Sequence, residues 1–75
     1  MDIADILIHV HPTLDNEQRE QVEKALLEQQ GVVMAHFSPG QPHTLVVAFD
    51  PATVQSGQLL QIVREWDQTA TLVGL

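Results

Sequence analysis

Two histidines separated by a single residue, His9 and His11, lie in the stretch IHVHPTL near the start of the sequence. Residues 3–11 alternate between apolar and polar side chains from Ile6 onward, a pattern that predicts a first strand. Residues two apart on a strand share a face, with Cα atoms roughly 7 Å apart, so both imidazoles could reach one ion. Neutral imidazole suits Zn(II), Cu(II), Ni(II) and Co(II), and the ligand type alone does not distinguish among these metals.

The other two histidines flank a predicted hairpin. VVMAHFS, residues 32–38, is typical of a second strand, and HTLVVAFD predicts a third strand at about residues 43–49. The segment PGQP between them favours a hairpin loop. His36 therefore lies near the end of the second strand, and His43 opens the third.

A helix is predicted between the first two strands, from about Asn16 to Gln30. Asp15 is a favourable N-cap, and Gln18 three residues later completes a capping box. Gly31 follows the last turn, where a left-handed residue is commonly needed. The apolar stripe that would face the core consists of Val22, Ala25 and Leu26.

A second helix and a last strand complete the predicted order. Ser56 is expected to cap this helix, whose apolar residues recur at helical spacing at Leu59, Leu60, Ile62, Val63 and Trp66. TATLVGL at the C-terminus is expected to form the fourth strand. The order βαββαβ implies an α+β, ferredoxin-like sandwich over residues 1–75 as a single domain, with both helices on one face of a four-stranded antiparallel sheet.

Three segments carry a resemblance to a known family: VEKAL at 22–26, GV at 31–32 and FDP at 49–51. Their spacing resembles the heavy-metal-associated domain of copper chaperones and metal-transporting ATPases. The resemblance implies the same fold and a metal site at an M-x-C-x-x-C loop, whose methionine would fall on Thr13 and whose cysteines would fall on Asp15 and Gln18. The chain has no cysteine, which excludes a Cu(I) site made of two thiolates.

The predicted topology brings the four histidines to the same half of the molecule. His9, His11 and His36 should point to the open sheet face, whereas the alternation of the third strand turns His43 inward. His36 lies about 9–10 Å across the sheet from the first strand, so it joins a site only if side chains lean over Thr44 and Ala48, or a second chain supplies the missing ligands. The alternative is that all four are ordinary solvent-facing residues.

Composition excludes several functions. The formal charge of −7, from three basic and ten acidic residues, argues against binding nucleic acid or an anionic membrane. No apolar run approaches the roughly 20 residues of a membrane span, and we recognise no secretory signal, so we expect a cytoplasmic protein. No cysteine nucleophile, Ser–His–Asp order or glycine-rich phosphate loop indicates an enzyme.

The sequence thus favours a small protein that binds a divalent transition metal for delivery, storage or sensing. His9 and His11 would be the primary ligands, with His36 or His43 assisting. The rival hypothesis is a metal-free interaction module that docks on itself or on another protein through the open sheet face. Val46, Ala48 and Val73 would provide the apolar part of that face.

Overall fold

The computed structural model describes residues 2–11 and 14–73 and contains the predicted order of elements. Thr13, where the family's methionine would fall, lies outside these residues. The elements are β1 (Ala4–His9), α1 (Asn16–Leu27), β2 (Val32–Ser38), β3 (Gln41–Phe49), α2 (Ser56–Val63) and β4 (Thr71–Val73).

The sheet is antiparallel throughout, with the strand order β2-β3-β1-β4. β1 and β2 therefore run in the same direction on either side of β3, as the sequence predicts. Alternation along β1 and β3 places Ile8, Leu45 and Val47 on the face covered by the helices. The largest fully buried side chains are Ile8, Leu26, Leu45, Leu59, Val10, Val22, Val47 and Val63.

The start of α1 follows the predicted capping box. The Gln18 backbone N–H donates to Asp15 Oδ1 at 2.7 Å, and the Asp15 backbone N–H donates to Gln18 Oε1 at 3.1 Å. The helix ends at Leu27, three residues before the predicted end. The Gln29 backbone N–H bonds the Leu26 carbonyl, so the chain tightens into turns before Gly31, which has a φ of 97°.

Other boundaries also differ from the prediction, among them the end of α2, which lies at Val63 instead of Trp66. The N-cap of α2 is Gln55, and Ser56 is the first helical residue, because the Gln58 side chain returns to accept from the Gln55 backbone N–H at 2.9 Å. β3 begins at Gln41, so the hairpin turn reduces to Pro39 and Gly40, the latter with a φ of 77°. Within the described residues, β4 has only three positions.

A bulge interrupts the alternation of β2. Val32 pairs with Phe49 and Met34 pairs with Ala48, so Val33 has no opposite residue and is 58% exposed. Alternation resumes after the bulge, where Ala35 is buried and His36 pairs with Val46. His36 consequently points to the open face, as predicted.

Candidate metal site

Three of the four histidines meet where β1 ends and β3 begins. The rings of His9 and His11 have centroids 5.1 Å apart and lie nearly perpendicular, at 77°. The rings of His9 and His43 are stacked, with centroids 6.0 Å apart and an angle of 24° between their planes. The structure therefore brings together the predicted H-x-H pair and His43, and we call these three residues the histidine cluster.

The position of His43 follows from the end of the β1–β3 ladder. The Val10 backbone N–H donates to the His43 carbonyl at 2.9 Å, one pairing beyond the last residue of β1. His43 Nδ1 lies 3.1 Å from the Val10 carbonyl oxygen. Since a carbonyl oxygen can only accept, this hydrogen bond places the ring proton on Nδ1 and the lone pair of the neutral ring on Nε2.

His11 is held by two residues that sequence reasoning missed, Asp67 and Thr69. The His11 backbone N–H donates to Asp67 Oδ2 at 2.8 Å, which turns the chain away from β3 and ends β1 before the predicted residue 11. His11 Nδ1 lies 3.3 Å from Thr69 Oγ1 and 3.9 Å from Asp67 Oδ2. The ring itself is about half exposed, with 49% of its side-chain surface accessible.

Asp67 is a buried carboxylate with a full set of donors. It is 6% exposed, and besides the His11 backbone it accepts from the Thr69 backbone N–H at 2.9 Å and the Thr69 hydroxyl at 2.6 Å. Burial disfavours the charged carboxylate, but the hydrogen bonds from Thr69 and His11, together with the charge of His11, outweigh it and hold the pKa of Asp67 below its usual value.

His36 lies apart from the histidine cluster. It pairs with Val46 on β3, two positions along from Thr44, which pairs with His9. His36 and His9 are two strand spacings apart across the sheet and two residues apart along it, so their Cα atoms lie about 12 Å from each other. The predicted participation of His36 therefore remains a prediction that requires side chains to lean across Thr44 and Val46.

Among residues 2–11 and 14–73, no group of three or more His, Asp or Glu side chains already has its donor atoms gathered around one point. The positions where the heavy-metal-associated family carries cysteines, Asp15 and Gln18, are occupied in capping α1. A cavity of about 400 Å³ between α1 and the β2–β3 hairpin is lined by residues such as Arg19 and Glu23 and not by the cluster. No helix in the described part of the chain is long and apolar enough to cross a membrane.

Several solved structures share this fold at low sequence identity. A copper binding domain from HMA7, a P-type ATPase, aligns with a TM-score of 0.80 and 23% identity over 93% of both chains. The CopZ metallochaperone aligns with a TM-score of 0.75 and 21% identity over 93% of this chain and all of CopZ. Oxidized MerP from Ralstonia metallidurans CH34 aligns with a TM-score of 0.79 and 17% identity over 95% of this chain and 97% of MerP.

No protein-family model matches the sequence, and no curated protein matches it. The structural likeness alone confirms two predictions. The chain has the ferredoxin-like α+β fold, and it shares that fold with the copper binding domain from HMA7 and with MerP. The segments that carried the resemblance lie in α1, at the start of β2 and at the end of β3, which are the elements that build the fold.

Proposed function

We propose that this protein binds a divalent transition metal ion through the imidazoles of His9, His11 and His43, for delivery, storage or sensing. The observation that carries the proposal is the spacing of the three rings. In a tetrahedral zinc site with Zn–N distances of about 2.0–2.1 Å, the centroids of two imidazole ligands lie about 5 Å apart. The centroid distances of 5.1 Å for His9 and His11 and 6.0 Å for His9 and His43 are close to that value, which supports a shared ion.

The ligand chemistry and the fold support the same conclusion. Three protein nitrogens plus an open position is a common arrangement for zinc sites that exchange ligands. A chain without thiolates is suited to Zn(II), Cu(II), Ni(II) or Co(II) rather than Cu(I). The structural neighbours include a metallochaperone and a copper binding domain, which makes metal handling a natural use of the fold.

A calorimetric titration at pH 7.5 with each of the four metals tests the proposal. We expect saturable binding at micromolar or tighter affinity in the parent protein and its loss in a His9→Ala, His11→Ala double variant whose circular dichroism is unchanged. Binding should also weaken below about pH 6, because imidazole must be unprotonated to coordinate a metal. Equal binding by the double variant, or only weak and unsaturable heat from the parent, would overturn the proposal.

The second candidate is a docking module that uses the open sheet face. Met34 is 40% exposed and Val73 is 44% exposed, so this face presents apolar side chains to a second copy or another protein. Ala48 adds little to it, because it is only 6% exposed. A docking module would keep its partner in the double variant, whereas the metal-binding protein would lose its ion.

In either case we propose a cytoplasmic binding protein rather than an enzyme, formed by residues 1–75 as one unit. A chaperone-like role would give it two kinds of partner, the metal ion and the protein that receives it. A homodimer through the open face is compatible with metal binding, since two chains could then share an ion.

A further inference from the structure

Asp67 and Thr69 form a connected group of hydrogen bonds with His11, although 56 residues separate Asp67 from it along the chain. Both residues lie between α2 and β4, and the bonds join this segment to the end of β1. The Thr69 hydroxyl has one proton, which it donates to Asp67 Oδ1 at 2.6 Å. Its oxygen can therefore only accept from the His11 ring.

This direction of donation determines where the His11 ring carries its proton. Nδ1 lies 3.3 Å from the Thr69 oxygen, so Nδ1 is the donor and Nε2 of the neutral ring carries the lone pair. Free imidazole side chains in water favour the other tautomer, with the proton on Nε2. His43 has the same arrangement, because its Nδ1 bonds the Val10 carbonyl. Two rings of the histidine cluster thus carry the basic nitrogen on the same atom.

We propose that Asp67 and Thr69 are positioning residues that hold His11 with its proton on Nδ1 and present Nε2 to a metal ion. The inference rests on the proposed function for its second half, and its first half concerns the metal-free protein alone. Asp67 fixes the backbone of His11, and Thr69, oriented by Asp67, fixes the ring. Metal-binding histidines commonly donate their other ring nitrogen to such a partner, which orients the ring and raises its basicity.

Long-range ¹H–¹⁵N spectra of the imidazole rings, recorded at pH 8 without metal, test the first half. We expect His11 to be protonated on Nδ1 in the parent protein and in Thr69→Ser, which keeps the hydroxyl, and to shift toward the Nε2-protonated form in Thr69→Val. Thr53→Val, the same change at an exposed threonine whose hydroxyl donates to Asp50 instead, should leave the His11 tautomer unaltered. A parent His11 protonated on Nε2, or a tautomer unaffected by Thr69→Val, would overturn the inference.

Titration of the same four proteins with Zn(II) tests the second half. Thr69→Val should weaken zinc affinity by about 10–100-fold, and Thr69→Ser should remain within about threefold of the parent. If the parent has the expected tautomer but does not bind zinc, the proposed function and the metal-presenting role both fail, while the ring-positioning role stands. If the parent binds zinc and Thr69→Val binds equally well, the positioning inference fails and the proposed function stands.

Discussion

At the scale of single residues, the histidines differ in their contacts and in their position on the sheet. His9 and His43 stack across the β1–β3 ladder, and His11 is held beside them by Asp67 and Thr69. His36 shares the open face but lies beyond β3. A site made by the histidine cluster should therefore depend on His43 and not on His36.

Two single variants separate these roles. We expect His43→Ala to weaken Zn(II) affinity at least about tenfold, because it removes one of three ligands, a loss of about 1.4 kcal/mol or more. His36→Ala, which also removes one imidazole from the sheet, should change the affinity less than about threefold. Competition titrations against a chelator of known affinity measure both. If His36→Ala weakened Zn(II) affinity more than His43→Ala, the metal site would instead lie on the β2 side of the sheet.

Asp67 should also make the stability of the metal-free protein depend on pH. Its pKa is lower in the folded than in the unfolded chain, so the unfolded chain binds more protons as pH falls below the ordinary value of 3.8. The stabilisation is therefore complete above about pH 4 and is lost as pH falls through the folded pKa.

We expect Asp67→Asn to lower the free energy of unfolding by about 1–3 kcal/mol at pH 7, because an amide cannot accept all three donors. The difference from the parent should shrink below about pH 4, where the parent carboxylate also becomes protonated. Urea unfolding with a chelator present measures it, and Asp5→Asn, at an exposed β1 residue, should stay within about 0.5 kcal/mol. A difference that persists undiminished at pH 2 would contradict this account.

At the scale of elements, the turn between α1 and β2 is constrained twice. Gly31 has a φ of 97°, and a Cβ placed on it would lie 2.9 Å from the Cβ of Thr53. Gly40, in the β2–β3 turn, has a φ of 77°, but a Cβ there would meet nothing within 4 Å. The two glycines share the backbone requirement, and only Gly31 adds a steric one.

Replacing each glycine by alanine should separate the two effects. Gly40→Ala should cost about 1–2 kcal/mol of stability through its left-handed backbone. Gly31→Ala should cost at least about 1 kcal/mol more, because the added methyl group displaces Thr53 and its neighbours. Urea unfolding midpoints, converted to free energies of unfolding with a common m-value, give the cost of each substitution. Equal costs would show that the contact with Thr53 relaxes without penalty.

The parts of the fold that the sequence predicted are those that local patterns determine. The Asp15–Gln18 capping box and the turn at Gly31 lie within a few residues of what they stabilise, and alternation fixes the faces of β1 and β3. The predicted end of β1 was wrong because the His11 backbone N–H bonds Asp67, which is distant in the sequence, instead of continuing the strand. No local pattern marks Asp67 or Thr69 as partners of His11; an acid and a hydroxyl before the last strand were the only signal.

Strand ends also limited what could be inferred about His43. Its alternation matches that of the inward-facing residues Leu45 and Val47, which predicts a side chain on the helix side of the sheet. At the end of the ladder, however, its ring bonds the Val10 carbonyl and stacks on His9. His43 therefore joins the cluster through its hydrogen bond to the Val10 carbonyl, which the alternation of the strand does not predict.

At the scale of the whole molecule, charge, fold and cluster favour the same class of ligand. The formal charge of −7 attracts cations and repels phosphates. The fold pairs β1 with β3 side by side, so three imidazoles from one chain lie near one another at one end of the sheet. We therefore expect one ion per chain, with the remaining coordination position available to water or to a receiving protein.

The most direct test is to follow the imidazole nitrogens themselves as Zn(II) is added. We expect long-range ¹H–¹⁵N spectra to show one nitrogen of each of His9, His11 and His43 shifting, Nε2 for the latter two, with saturation at one equivalent of metal. The nitrogens of His36 should remain unchanged and serve as the internal control. If the three cluster rings do not respond, or if His36 responds equally, the histidine cluster is not the metal site.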